Sequence, residues 1–141
     1  MVLPSNVVAQ KKSTPESFTP DRTEVYKTVG DVSLKMHIFE PDRHQATAKA
    51  PAIVLFFGGG WNGGSPRQFY EQSTHFASLG MVALAAEYRI RKTHKTTPFE
   101  CVTDGKSAIR WVREHAGELG VDPERIVAGG CLLYTSPSPR D

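Results

Sequence analysis

Apolar and polar residues alternate along the first patterned part of the chain. From residue 32 to 39, Val, Leu, Met and Ile occupy one set of alternate positions, and Ser, Lys and His fall between them. A period of two is typical of a half-buried β-strand. Residues 24–29 form a similar run, and Gly30 and Asp31 between the two runs are typical turn residues. The pattern predicts an antiparallel hairpin over residues 24–39.

Three largely apolar runs follow the hairpin, at residues 52–57, 81–86 and 125–128, the last of which begins with Arg125. An apolar run without alternation is typical of a strand that is covered on both faces, as in a parallel sheet. Longer segments with a helical spacing of apolar residues separate the three runs.

The first of these segments begins with helix-start chemistry. Ser65 is placed as an N-cap, Pro66 occupies the first helical position, and Gln68 is predicted to complete a capping box. Gly80 is placed to end this helix. Its predicted apolar face consists of Phe69, Phe76 and Ala77.

The second segment repeats the same logic, with Thr97 and Glu100 as a capping box and Gly120 at the end. Its predicted apolar stripe consists of Phe99, Val102, Ile109, Val112 and Ala116. Strands that alternate with helices favour right-handed parallel crossovers. The chain is therefore predicted to be α/β, with a three-layer, mixed and mostly parallel sheet that carries the antiparallel hairpin at one edge.

Composition narrows the functional classes. The 141 residues are 39% hydrophobic and 23% charged, with a net charge of +2, which fits one domain and is too weak a bias to indicate a nucleic acid or an anionic membrane as partner. No apolar run approaches the roughly 20 residues of a membrane-spanning helix. The two cysteines, Cys101 and Cys131, match no disulfide framework or zinc pattern. We expect no metal and no cofactor.

The two ends of the chain differ from the patterned part. Residues 1–21 are predicted to be a disordered polar leader. Val7, Val8 and Ala9 leave open the alternative that they end a signal peptide of a secreted parent, and the sequence does not otherwise indicate a compartment. Residues 131–141 contain Pro137 and Pro139 where a helix is expected to begin.

Read as codons, residues 131–141 resemble the adapter used in transposase-based DNA library preparation. We therefore expect this tail to be non-native, which leaves one domain over residues 22–130. The alternative is a natural, disordered carboxyl terminus.

Several short motifs together resemble a known family. The sequence FFGGGW at residues 56–61 resembles the oxyanion loop of α/β-hydrolase esterases, in the hormone-sensitive-lipase-like and feruloyl-esterase-like branch. EYR at residues 87–89 and LGVDPERI at residues 119–126 are similar to later parts of the same fold. The resemblance covers about residues 23–130. It implies the N-terminal half of a serine hydrolase that acts on small carboxylic esters.

The resemblance also implies roles for individual residues. Gly59 and Gly60 are the expected donors of backbone N–H groups to the oxyanion, because glycine allows the chain to approach the substrate closely. Gly58 supports the turn, and Trp61 is expected beside the pocket as a wall on the acyl side. Phe57 stands where the family usually has a structural His, which leaves the orientation of the loop and the substrate class open.

The expected nucleophile is missing from this sequence. Gly130 resembles the first glycine of the G-x-S-x-G elbow, which places the nucleophile at position 132, where this chain has Leu132. In this fold the acid and the His follow the Ser, so the chain is predicted to be inactive. The histidines that precede this point are expected to be surface or packing residues: His37, His44, His75, His94 and His115.

Four alternatives remain open at this stage. A peptidase or a lactonase could use the same fold, and a hydrolase-like binding protein could lack the Ser altogether. The glycine-rich loop could bind a nucleotide, although its spacing departs from G-x-G-x-x-G. Arg91 and Lys92, in the basic segment 89–95, could select acidic substrates.

Cys101 is expected to be a small buried residue and Asp104 to make a local salt bridge or a loop contact.

Overall fold

A computed structural model describes residues 18–131 of the chain. Most of the predicted leader and all but the first residue of the predicted tail lie outside these residues. Within the described part, no helix is long and apolar enough to cross a membrane.

A five-stranded mixed sheet forms the centre of the fold. Its strands lie in the order β1-β2-β4-β3-β5. The pairs β1–β2 and β2–β4 are antiparallel, whereas β3 pairs in parallel with β4 and β5. The predicted three-layer α/β architecture with a mixed sheet is confirmed, and two of its four strand pairs are parallel where a mostly parallel sheet was expected. The strands are β1 Arg22–Val29, β2 Val32–Phe39, β3 Ala50–Phe56, β4 Val82–Ala86 and β5 Val121–Gly130.

The predicted hairpin is present as β1 and β2. Gly30 in its turn has a φ of 56°, a conformation that glycine adopts without steric cost. At the other edge of the sheet, β5 is interrupted. Val121 pairs with Ala50 and Ile126 with Ala52, so residues 122–125 lie outside the regular register. Asp122 and Pro123, which are typical turn residues, fall within this interruption.

Four α-helices connect the strands: α1 Tyr70–Ser78, α2 Arg91–His94, α3 Pro98–Glu114 and α4 Ala116–Leu119. Two 3-10 turns, Ala46–Ala48 and Pro66–Phe69, precede β3 and α1. The capping box of Thr97 and Glu100 at the start of α3 is confirmed. Gly120, with a φ of 66°, ends α4 as a left-handed C-cap.

Helices cover both faces of the sheet. α1 packs with Phe39, Ile53 and Leu55 on one face, whereas the larger core cluster includes Trp111 and Val112 of α3 on the other. The chain moves from β3 to β4 in one direction across the sheet and from β4 to β5 in the opposite direction. Right-handed connections therefore place α1 and α3 on opposite faces.

The predicted apolar stripe of the segment that forms α3 and α4 is confirmed at Val112 and Ala116, which are buried, and is wrong at Phe99. Phe99 is 82% exposed. At about 100° per residue, Phe99 lies on the side of the helix opposite Cys101, which is fully buried. The buried face is rotated because it includes a charged residue that the apolar pattern could not reveal. Its members are Cys101, Asp104, Gly105, Ala108, Trp111 and Val112.

Asp104 is the charged residue on that face, and its side chain is fully buried. Its carboxylate accepts from Lys27 Nζ at 2.8 Å and from Arg89 Nε and Nη2 at 2.8 and 2.9 Å. The expected loop contact is confirmed at Arg89, and the second partner, Lys27, lies on β1, so Asp104 joins β1, α3 and the residues after β4. Burial alone would raise the pKa of Asp104, but the hydrogen bonds from Arg89 and Lys27 lower it.

We predict that Asp104→Ala lowers the free energy of unfolding by about 3–5 kcal/mol, because it leaves the guanidinium of Arg89 and the ammonium of Lys27 without their shared partner. Urea unfolding of the purified chain measures this loss. Asp122→Ala is the matched control. The exposed Asp122–Arg125 pair, at 2.9 Å, is screened by solvent and is expected to contribute little to the free energy of unfolding.

The same ion pair predicts a pH dependence. Because the folded pKa of Asp104 is lowered, its contribution is complete above the unfolded pKa of about 4 and is lost as the pH falls through the folded pKa. When the pH is lowered below about 4, the free energy of unfolding is therefore expected to fall less in Asp104→Asn than in wild type. Equal losses of unfolding free energy in Asp104→Ala and Asp122→Ala would contradict the role of Asp104 as the buried partner of Lys27 and Arg89.

Candidate active site

The glycine-rich loop of residues 57–64 lies at the carboxyl edge of the parallel strands. The last residues of these strands are in register, since Phe56 pairs with both Ala86 and Gly130. The loop therefore lies beside the residues that follow β4 and the end of β5. Ligands of open α/β sheets bind at this edge.

The loop is a tight turn that requires glycine. Gly59 and Gly60 have φ values of 147° and 61°. The Gly59 carbonyl accepts from the N–H groups of Asn62 and Gly63 at 3.1 and 3.2 Å. A Cβ at position 59 would lie 2.1 Å from the Gly63 oxygen, so this backbone path excludes any other residue there without a shift.

The backbone amides of the three successive glycines differ in their partners. Gly58 N–H donates to Gln68 Oε1 at 2.8 Å. Among the hydrogen bonds of residues 18–131, neither Gly59 N–H nor Gly60 N–H donates to an acceptor, and both residues are exposed. The loop thus presents two consecutive amides to its surroundings.

Phe57, at the start of the loop, is held by Tyr88. The two rings are stacked with centroids 4.2 Å apart, and the Tyr88 hydroxyl donates to the Phe57 carbonyl. Burial raises the pKa of Tyr88, so the phenol stays protonated and remains a donor. The family's usual His is therefore replaced by an aromatic contact that fixes the beginning of the loop.

The middle of the loop is held by α2. The N–H groups of Arg91 and Lys92 donate to the carbonyls of Trp61 and Asn62 at 2.8 and 3.1 Å. The segment expected to be a basic loop thus contains a helical turn that supports the glycine loop through its backbone. The side chains of Arg91 and Lys92 are exposed, so their role in substrate selection stays a prediction.

Trp61 follows the three glycines with a φ of 58° and is half-buried against the main core. In the part of the chain that the structure describes, its buried indole N–H has no acceptor. Its expected role as an acyl-side wall stays a prediction.

Glu87, the first residue after β4, connects three elements. Its carboxylate accepts from Lys35 N–H and contacts His37 Nε2, both at 3.0 Å, and His37 Nδ1 lies 2.8 Å from the Tyr70 hydroxyl. Partial burial would raise the pKa of Glu87, but the hydrogen bonds from His37 and Lys35 outweigh it and the pKa is lowered. His37 is therefore a packed residue that ties α1 to the sheet, as expected.

The end of β5 approaches the glycine loop closely. A Cβ at Gly130 would lie 2.4 Å from the Phe56 oxygen, and one at Gly58 would lie 2.8 Å from Cys131 Cβ. Position 132, where the nucleophile is expected, lies outside the described residues.

Other candidate groups do not belong to this site. The Cys101 thiol is fully buried and donates to the Arg89 carbonyl at 2.9 Å, and burial, together with the charge of Asp104, raises its pKa. A cleft of about 570 Å³ opens near Phe39 and His44, at the amino edge of the parallel strands. Within residues 18–131, no cluster of His, Cys, Asp and Glu could hold a metal ion.

Comparison with protein families identifies the chain. The family model described as BD-FAE matches residues 36–131, which include the glycine loop and the end of β5. The chain belongs to the BD-FAE family. This assignment confirms the resemblance to esterases on which the sequence interpretation rests.

Curated relatives of this BD-FAE chain include esterases. Carboxylesterase NlhH of Mycobacterium tuberculosis is 30% identical over 118 residues, which are 82% of this chain and 35% of NlhH. The probable carboxylic ester hydrolase LipM of the same organism is 35% identical over 85 residues, 60% of this chain and 19% of LipM. The chain thus spans about a third or less of the length of these relatives.

Solved structures confirm the α/β-hydrolase fold. An esterase from Thermogutta terrifontis, Est2 with propionate bound, is 50% identical with a TM-score of 0.80, and the match covers 84% of this chain and 44% of the esterase. The apo form of esterase 2 from the same organism is 53% identical with a TM-score of 0.76, covering 77% of this chain and 41% of the esterase. The BD-FAE chain corresponds to the N-terminal half of such a fold.

Proposed function

We propose that this chain supplies the oxyanion-binding half of a serine esterase that acts on carboxylic esters. The observation that carries the proposal is the pair of consecutive amides, Gly59 and Gly60, that have no acceptor within residues 18–131 and lie at the carboxyl edge of a hydrolase sheet. The esterase relatives support the reaction class.

The chemistry follows from where charge develops. Attack on an ester carbonyl produces a tetrahedral intermediate with a negative oxygen. Backbone N–H groups that already point at this oxygen stabilise it without reorganisation, by about 3–4 kcal/mol per donor. We assign this role to Gly59 and Gly60, with Gly58 as the support of the turn and Trp61 beside the acyl group.

The chain itself is proposed to be inactive. Position 132, two residues after Gly130, holds Leu132, which cannot attack a carbonyl. A second candidate is a hydrolase-like binding protein whose amides hold an ester or a carboxylate without cleaving it, and a natural gene without Ser at the elbow would favour it. The residue at position 132 in the natural gene distinguishes these two functions. Ser there supports the esterase, and any residue that cannot act as a nucleophile supports the binding protein.

The first test is burst kinetics with p-nitrophenyl acetate. The chain is expected to release no stoichiometric burst of p-nitrophenol, because the position expected for the activated nucleophile holds Leu132. A burst of one equivalent per chain would contradict the proposed inactivity.

The second test restores the missing half. In a chimera, residues 23–130 replace the matching segment of Thermogutta terrifontis esterase 2, which is about half identical to the chain. The chimera is expected to hydrolyse p-nitrophenyl propionate. Gly59→Ala should lower its kcat/KM by about 10²–10³-fold, because the new Cβ displaces the loop and its donors.

Gly63→Ala is the matched control for this variant. A Cβ at Gly63 meets nothing within 4 Å, and its φ is not positive, so kcat/KM should stay within about threefold of the parent chimera. If Gly59→Ala, like Gly63→Ala, kept the kcat/KM of the parent chimera, the loop would not take part in the reaction.

A further inference from the structure

The side chain of Gln68 lies between the glycine loop and the end of β5. Its Oε1 accepts from Gly58 N–H at 2.8 Å, and its Nε2 lies 3.7 Å from Cys131 Sγ. Gln68 belongs to the 3-10 turn Pro66–Phe69, ten residues after Gly58 along the chain. One amide side chain therefore contacts both parts of the candidate site.

The expected capping box at Ser65 does not use Gln68. Ser65 Oγ accepts from Arg67 N–H at 3.3 Å, and the amide of Gln68 is directed to Gly58 instead. That part of the sequence prediction is wrong. The Gln68 side chain is exposed, so its position is not explained by packing in the core.

The contact completes the hydrogen bonding of one peptide group. The Phe57 carbonyl and the Gly58 N–H belong to the same planar unit. Tyr88 binds its oxygen from the core side, and Gln68 binds its N–H from the exposed side. With both ends held, the plane of this peptide is fixed, and the next two amides, those of Gly59 and Gly60, leave it in a defined direction.

We propose that Gln68 is a positioning residue of the oxyanion loop. Its carboxamide accepts from Gly58 N–H and fixes the Phe57–Gly58 peptide. This inference rests on the proposed function for its catalytic meaning, whereas the contact itself is measurable without any reaction.

The test uses the ¹⁵N-labelled 141-residue chain and the amide exchange rates of its glycines. Gln68→Met keeps the length of the side chain and removes the acceptor. Gly58 N–H is expected to exchange about tenfold faster, the change that corresponds to the loss of one hydrogen bond. The amide resonances of Gly59 and Gly60 should shift with it.

Two further variants separate positioning from general stability. Gln68→Glu retains an acceptor at the same reach and should return Gly58 exchange to within about threefold of wild type. Gln72→Met makes the same substitution on the exposed face of α1 and should leave all three glycine amides unchanged. The urea midpoint should be the same for every variant, because both glutamines are exposed.

Three results would overturn the proposal: Gly58 exchange in Gln68→Met within twofold of wild type, an equal acceleration in Gln72→Met, or no recovery in Gln68→Glu. None of these results depends on hydrolysis. An inactive chimera would therefore count against the proposed function and leave the role of Gln68 standing.

Discussion

A backbone N–H that donates to no acceptor within the fold is stable only where water or a ligand can reach it. Gly59 and Gly60 hold two such groups side by side, on a path that only glycine can follow at position 59. The other residues at the carboxyl edge of the sheet hold these two amides in place. The in-register ends of β3, β4 and β5 bring the loop next to Gly130, where a nucleophile turn is expected.

The residues after β4 provide most of the support for that edge. Three successive side chains reach three different partners: Glu87 contacts His37 on β2, Tyr88 binds the Phe57 carbonyl, and Arg89 pairs with the buried Asp104. These contacts are largely shielded from water, where hydrogen bonds and ion pairs hold geometry more firmly than at the surface. One short segment thus links the hairpin, the glycine loop and α3.

The sequence predicted the features that depend on local chemistry. Alternation revealed the hairpin, continuous apolar runs revealed the buried strands β3 and β4, and the capping box of Thr97 and Glu100 marked the start of α3. The prediction of a third strand covered on both faces is wrong, because β5 lies at the edge of the described sheet and Val127 is 54% exposed. The sequence did not predict contacts that depend on residues far apart along the chain. Asp104 is buried because Lys27 and Arg89 neutralise it, and Gln68 serves Gly58 because the fold brings them together. A capping-box pattern cannot distinguish a glutamine that binds its own turn from one that binds a neighbouring loop.

A crystal structure of the esterase 2 chimera, after reaction with a p-nitrophenyl phosphonate, tests the central claim most directly. The phosphonyl oxygen on the serine stands in for the oxyanion. The account predicts that the Gly59 and Gly60 nitrogens lie about 2.7–3.1 Å from this oxygen. Nitrogens more than about 4 Å away, with the oxygen bound by other donors, would contradict it.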